Sequence, residues 1–148
     1  MKKLFFLLII ILSTNSYAEL KITISQGLEK SIPIIVNCDH REKLCIEITD
    51  VIKSNLYGSG YFLIQDEKII NSNLDELTSQ YALWKLYDTD YAVKSKIFKK
   101  NEKFVFDFKL YDVNLKKMLF NYQISFNNKT NIRKLAHVSS NKIFEKIT

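Results

Sequence analysis

Three stretches in the second half of the chain place apolar side chains at every other position. Tyr91, Val93, Ser95 and Ile97 share one face; Phe104, Phe106, Phe108 and Leu110 share another; Met118, Phe120, Tyr122, Ile124 and Phe126 share a third. A period of two with one buried face predicts three antiparallel strands in a meander. The segments "KKNEK" and "VNLKK" supply the turns, neither with an Asn-Gly pair. Earlier, "LKITIS" (Leu20 to Ser25) alternates in the same way, Gln26-Gly27 breaks it, and "IPIIVN" (Ile32 to Asn37) reads as a second strand with Pro33 near its start or at an edge. The period then changes. Leu44, Ile48, Val51, Ile52 and Leu56 line one face of a helix that stops at Gly58, and Phe62 to Gln65 is a short strand. Asp75 is placed to cap a helix with Leu77, Tyr81 and Trp84 inward. Thr130 is placed to cap a last helix with Ile132, Leu135, Ala136, Ser139, Ile143 and Ile147 inward.

The predicted order is β-β-α-β-α-β-β-β-α. It implies an α+β fold, one mixed sheet packed by about three helices and ending in a three-strand meander. There are no internal repeats, low-complexity stretches or internal linkers.

The N-terminus changes the compartment. Lys2 and Lys3 precede an unbroken apolar run, Leu4 to Leu12, and Ser16-Tyr17-Ala18 offers small residues for cleavage between Ala18 and Glu19. This is the pattern of a secretory signal peptide, residues 1–18, and the run is about half the ~20 residues of a membrane span. The expected mature chain, 19–148, is long enough for one domain with its own core. The formal charge of +6 falls by two with the loss of Lys2 and Lys3, and the remaining charges are interspersed. A basic balance can indicate nucleic acid, but an exported protein does not meet it routinely; a charged soluble surface accounts for the balance.

"CDHREKLC" is the richest stretch chemically. Cys38 and Cys45 could form a disulfide, remain free thiols, or join His40 and His137 around zinc. The spacing fits no common zinc pattern, and an oxidising compartment favours the disulfide, which joins the second strand to the first turn of the helix. His137 could act as a base but has no visible partner, so it is expected at the border of a buried helix face. "GSG" (Gly58 to Gly60) follows a helix and opens a strand, the reverse of a dinucleotide loop, and reads as a helix stop. Ser139-Ser140 lacks the strained turn of a nucleophile elbow. Asn128-Lys129-Thr130 forms a sequon but reads as a helix entry. Tyr81, Trp84, Tyr87 and Tyr91 suit a helix core and the strand after it. No catalytic constellation emerges, and no cofactor is called for.

Together, "ITISQG", "IPIIV", "DVIKSNLYGSGYF", "YALWKLYDTDYAVKSKI", "FDFKLYDV" and "IRKLAHVSSNKIFEKIT" resemble the first domain of the TolB family, the periplasmic component of the Tol–Pal system. The resemblance covers essentially the whole mature chain. It implies an α/β domain similar to the anticodon-binding domain of some tRNA synthetases, with no implication of RNA binding, since fold is not function. The family's second domain, a six-bladed β-propeller with repeated Ser-Pro-Asp-Gly segments, has no counterpart here; the expectation is that the chain ends at that domain boundary. Family members seldom carry a "CDHREKLC" insert, and their loops between helices are longer.

In the family, the propeller makes most of the contact with the lipoprotein Pal, and the segment after signal cleavage reaches TolA. Carried over, the TolA-facing residues would be Glu19, Leu20, Lys21, Ile22, Thr23, Ile24, Ser25, Gln26 and Gly27. Such an alternating terminal strand can add to a partner's sheet, or else serve as an edge strand of its own. The resemblance thus implies a periplasmic adaptor, not an enzyme, with Pal binding weak or absent unless a separate propeller chain completes it, and with membranes reached only through partners. The rivals are a small exported metal- or thiol-dependent protein using Cys38, His40 and Cys45, and a truncated fragment without independent function.

Overall fold

The computed structural model describes residues 30–39, 42–65, 77–127 and 131–148. The predicted strand Leu20 to Ser25, the signal segment, His40, and the proposed caps Asp75 and Thr130 lie outside them. Within them the order is β1 (Ile32–Cys38), α1 (Lys43–Gly58), β2 (Phe62–Ile64), α2 (Leu77–Leu86), β3 (Tyr91–Lys100), β4 (Lys103–Asp112), β5 (Lys117–Phe126) and α3 (Ile132–Ile147). The five strands form one mixed sheet in the order β2-β1-β3-β4-β5. β1 is parallel to both β2 and β3, and β3, β4 and β5 are the antiparallel meander. The fold is α+β, as the pattern predicts.

The alternating apolar positions build the main core. Ile34 and Val36 of β1, Val93 and Ile97 of β3, and Phe106, Phe108 and Leu110 of β4 meet Ile48, Ile52 and Leu56 of α1 and Leu135, Ala136 and Ile143 of α3. Placing the valine, leucine, isoleucine and phenylalanine side chains out of water contributes about 1.5–3 kcal/mol each. The two helices also touch through a polar contact, with Asn55 Nδ2 donating to Ser140 Oγ at 2.9 Å. The opposite face of the sheet carries a second, smaller core: Ile35, Ala92, Tyr111 and Val113 against Tyr81 and Trp84 of α2. The sheet is therefore the middle of three layers.

Local chemistry explains the element ends. α1 closes on Ser59, whose hydroxyl donates to the Leu56 carbonyl at 2.6 Å, and the reversal is made at Gly60, with φ +77°. Gly60, two residues beyond the expected stop, is the position that needs a residue without a Cβ. Asn101 and Glu102 both have positive φ, 49° and 62°, so the β3–β4 turn has the primed form that suits twisted strands, even without glycine. Pro33 sits at the second position of β1, an interior strand. Its carbonyl accepts from Asp90 N at 3.0 Å, just before β3 begins, so its missing N–H leaves the ladder intact.

Three expectations change. The cap of α3 is Asn131, not Thr130: its Oδ1 accepts from Arg133 N at 3.0 Å and Lys134 N at 3.4 Å, meeting two of the helix's orphan donors. Met118 leaves the face of Phe120, Tyr122 and Ile124, because the register shifts between Leu110 and Tyr111. The bulge sets Met118 opposite Tyr111, on the α2 side, and leaves it 46% exposed. His137 faces solvent rather than the border of the buried stripe.

Candidate functional site

The junction between β1 and α1 brings together a disulfide and several polar side chains. Cys38 and Cys45 are joined by a disulfide, with Cα atoms 5.9 Å apart. Cys45 lies fully buried in the first turn of α1, and Cys38 ends β1 half-buried. The Glu42 side chain makes no cap hydrogen bond at the start of this helix, so the covalent link holds the first turn to the sheet. Ser95 Oγ, across the β1–β3 ladder, donates to the Asn37 carbonyl at 2.6 Å. On the α2 side, Lys94 Nζ reaches Asp39 Oδ1 at 3.5 Å and Gln80 Oε1 at 3.1 Å. With both sulfurs bonded to each other, neither is a thiolate available to a metal or a substrate. Among the described residues no group of three His, Cys, Asp or Glu is placed to hold a metal ion.

The other chemical candidates resolve into structure. Ser139 Oγ donates to the Leu135 carbonyl at 3.0 Å and Ser140 Oγ to the Ala136 carbonyl at 2.8 Å, so both hydroxyls bond back to the preceding turn of α3. The four aromatics divide between faces. Tyr81 and Trp84 stack edge to face at 5.3 Å in the second core, Tyr87 packs at its margin, and Tyr91 belongs to the main core's margin. Burial raises the phenol pKa of Tyr81, Tyr91 and Tyr111, with nearby carboxylates adding to it; Asp112 does so for the first two. A phenol whose folded-state pKa is raised contributes stability below its ordinary value near 10, lost as pH rises through the folded value. Thermal melts from pH 8 to 11 should accordingly show a fall in midpoint beginning near pH 10, and Tyr111→Phe should make that fall shallower. A fall of the same steepness in the variant would contradict this account.

Two features escaped the sequence pattern. Asp107, on the polar side of β4, is buried; Lys96 Nζ lies 4.0 Å from its Oδ2, and Gln123 Nε2 donates to its Oδ1 at 3.2 Å. The register of β3, β4 and β5 sets those three side chains in one row, which a single strand's alternation cannot reveal. The second feature is a groove of about 360 Å³ between β5 and the last turns of α3, lined by Phe120, Tyr122, Lys142, Glu145 and Lys146. Among the described residues no helix is long and apolar enough to cross a membrane. Glu19 to Gly27 lie outside the described residues.

Fold and site together define a mixed-sheet α+β domain in which the hydroxyls of Ser95, Ser139 and Ser140, the two sulfurs and the buried Asp107 carboxylate are each engaged within the structure. Two of the solved structures that share the fold are informative. TolB from Acinetobacter baumannii superposes with a TM-score of 0.63 at 22% identity, covering 81% of this chain and 29% of that one. The LpoB C-terminal domain from Salmonella enterica superposes at 0.51 and 10% identity, covering 66% and 83%.

The family model for the TolB amino-terminal domain matches residues 20–119, and the chain belongs to that family. The Tol-Pal system protein TolB of Methylococcus capsulatus is 26% identical over 145 residues, 95% of this chain and 34% of that protein. Its counterpart in Pelagibacter ubique is 26% identical over 97% of this chain and 35% of that protein. The chain thus spans about a third of the length of these relatives.

Proposed function

We propose that this chain is a periplasmic adaptor of the Tol–Pal system, acting by protein–protein contact in outer-membrane integrity and envelope constriction at division. Export begins with the signal peptide 1–18, and cleavage between Ala18 and Glu19 frees the mature domain, 19–148. Glu19 to Gly27 then contact a TolA-like protein, while Pal is bound weakly or not at all unless a separate propeller chain supplies that surface. The observation that carries this reading is the family match itself, which starts at residue 20 and so takes in the alternating segment Leu20 to Ser25. In an added strand Leu20, Ile22 and Ile24 share one face and fill pockets on the partner, while Lys21 and Thr23 face away. Fixing the backbone of an added strand costs about 1–2 kcal/mol of entropy per residue, so the affinity is modest.

The test is a pair of substitutions, Ile22→Ser and Ile24→Ser, with binding to a TolA-like partner followed by calorimetry. Binding should vanish while the melting temperature stays put. Unfolding of the variant would assign the strand to the protein's own sheet, and unchanged binding would place the adaptor site elsewhere.

A further inference from the structure

β5 is the last strand in the sheet order, and among the described residues its one strand neighbour is β4. Leu119 to Phe126 carry no charge, no proline and no glycine. Natural sheets guard such edges with charges, proline, covering elements or brevity. The opposite edge is guarded by brevity, since β2 has three residues, but β5 has ten.

The groove runs beside this edge. Its floor is Phe120 and Tyr122, whose rings each lie 5.7 Å from Phe108 and are thereby fixed to the core. Tyr122 nonetheless remains 38% exposed. Its wall is α3, where Lys142 Nζ lies 5.9 Å from the centre of the Tyr122 ring and 3.8 Å from Glu145 Oε2. Lys146 stands one turn further on; Lys117 begins the strand and Lys116 closes the turn before it, both exposed. Among the described residues Glu145 lines the groove and Asp112 stands opposite Lys117. Glu145 is engaged with Lys142, and Asp112 is turned into the β4–β5 turn, where its Oδ1 accepts from Leu115 N at 2.8 Å. Four lysines against these two carboxylates leave the rim of an apolar floor with a net charge of +2, Lys142 being shared with Glu145 and Lys117 standing opposite Asp112.

We propose that the edge of β5 and this groove form a second docking site, for an extended acidic segment of a protein partner. The segment adds a sixth strand through main-chain hydrogen bonds. Side chains of an added strand alternate, so every second one faces the groove. The complementary pattern at those positions is carboxylate, apolar, carboxylate: the apolar group over Phe120 and Tyr122, the carboxylates toward Lys142 and Lys146. The proposal extends the adaptor reading by one site and does not depend on Glu19 to Gly27.

The probe is a labelled, end-blocked peptide, Thr-Glu-Thr-Leu-Thr-Glu-Thr, titrated into the full chain by fluorescence anisotropy. Saturable binding is expected, weakened about tenfold by K142E/K146E with no change in melting temperature. The milder K142A/K146A should weaken it less, and serves if the reversal unfolds the protein. The same peptide N-methylated at alternate amides, or with Lys for Glu, should not bind, and I22S/I24S should bind it normally. The proposal is overturned if the peptide does not bind, if charge reversal has no effect, or if the N-methylated peptide binds equally well. It fails too if inorganic phosphate or anionic vesicles displace the peptide at matching charge, if the chain dimerises through this edge, or if binding appears only once residues 19–27 are deleted.

Discussion

Replacing Trp84 by alanine should lower the stability of the domain by about 3–5 kcal/mol, a large part of the roughly 5–15 kcal/mol a domain commonly holds. Trp84 is 2% exposed and lies between Tyr81 at 5.3 Å and Tyr111 at 5.5 Å. Among the described residues the second core has five other buried members, so few of them can move to fill the space an indole leaves. Trp84→Phe keeps a ring and should recover most of the loss. Because Trp84 is the chain's one tryptophan, urea unfolding has to be followed by circular dichroism rather than by intrinsic fluorescence. A loss below about 1 kcal/mol would mean that α2 does not hold the sheet as the structure shows.

Removing the disulfide should have the next largest effect. The pair Cys38→Ala and Cys45→Ala is expected to cost about 2–3 kcal/mol, mostly by releasing the constraint on the unfolded chain, as for any short closed loop. A second contribution is local. The first turn of α1 has no side-chain cap at Glu42, so the Cys45 link is what fixes the helix start against β1. Thiol reductant should lower the melting temperature of the wild-type protein and leave the double variant unmoved. Equal responses in both proteins, or two freely alkylated cysteines in native extract, would defeat the assignment.

Much of the architecture was legible because period-two patterning is a statement about one face. Phe104, Phe106, Phe108 and Leu110 announce a buried face of β4; the last three are in the main core and Phe104 is at its margin. The same patterning is silent about the other face. Val105, Asp107 and Tyr111 sit at what look like outward positions of the same strand, yet all three are buried. Their burial depends on long-range pairing: α2 over Tyr111, and β3 and β5 on either side of Asp107. The bulge that turns Met118 away comes from the register with β4, again a property of two strands. Asn131 outcompetes Thr130 as the cap by one position, within the usual uncertainty of a helix end read from sequence. The groove was hidden for a related reason. Phe120 and Tyr122 read as core residues, and only the placement of α3 decides that their rings stay partly open.

The parallel pairing of β1 bears on how the molecule reaches this state. β3, β4 and β5 are joined by turns of two and four residues, so the meander closes with small losses of chain entropy. β1 has no such neighbour: each of its partners lies beyond a helix, and Ile34 finds Tyr91 only after α1, β2 and α2 have been threaded between them. Contacts so distant along the chain are slow to form. The strand that emerges first among these five is therefore captured only after the meander that follows it, and β2, which reaches the sheet through β1, comes no earlier; pulse-labelled hydrogen exchange during refolding would record protection of the β4 amides ahead of those of β1.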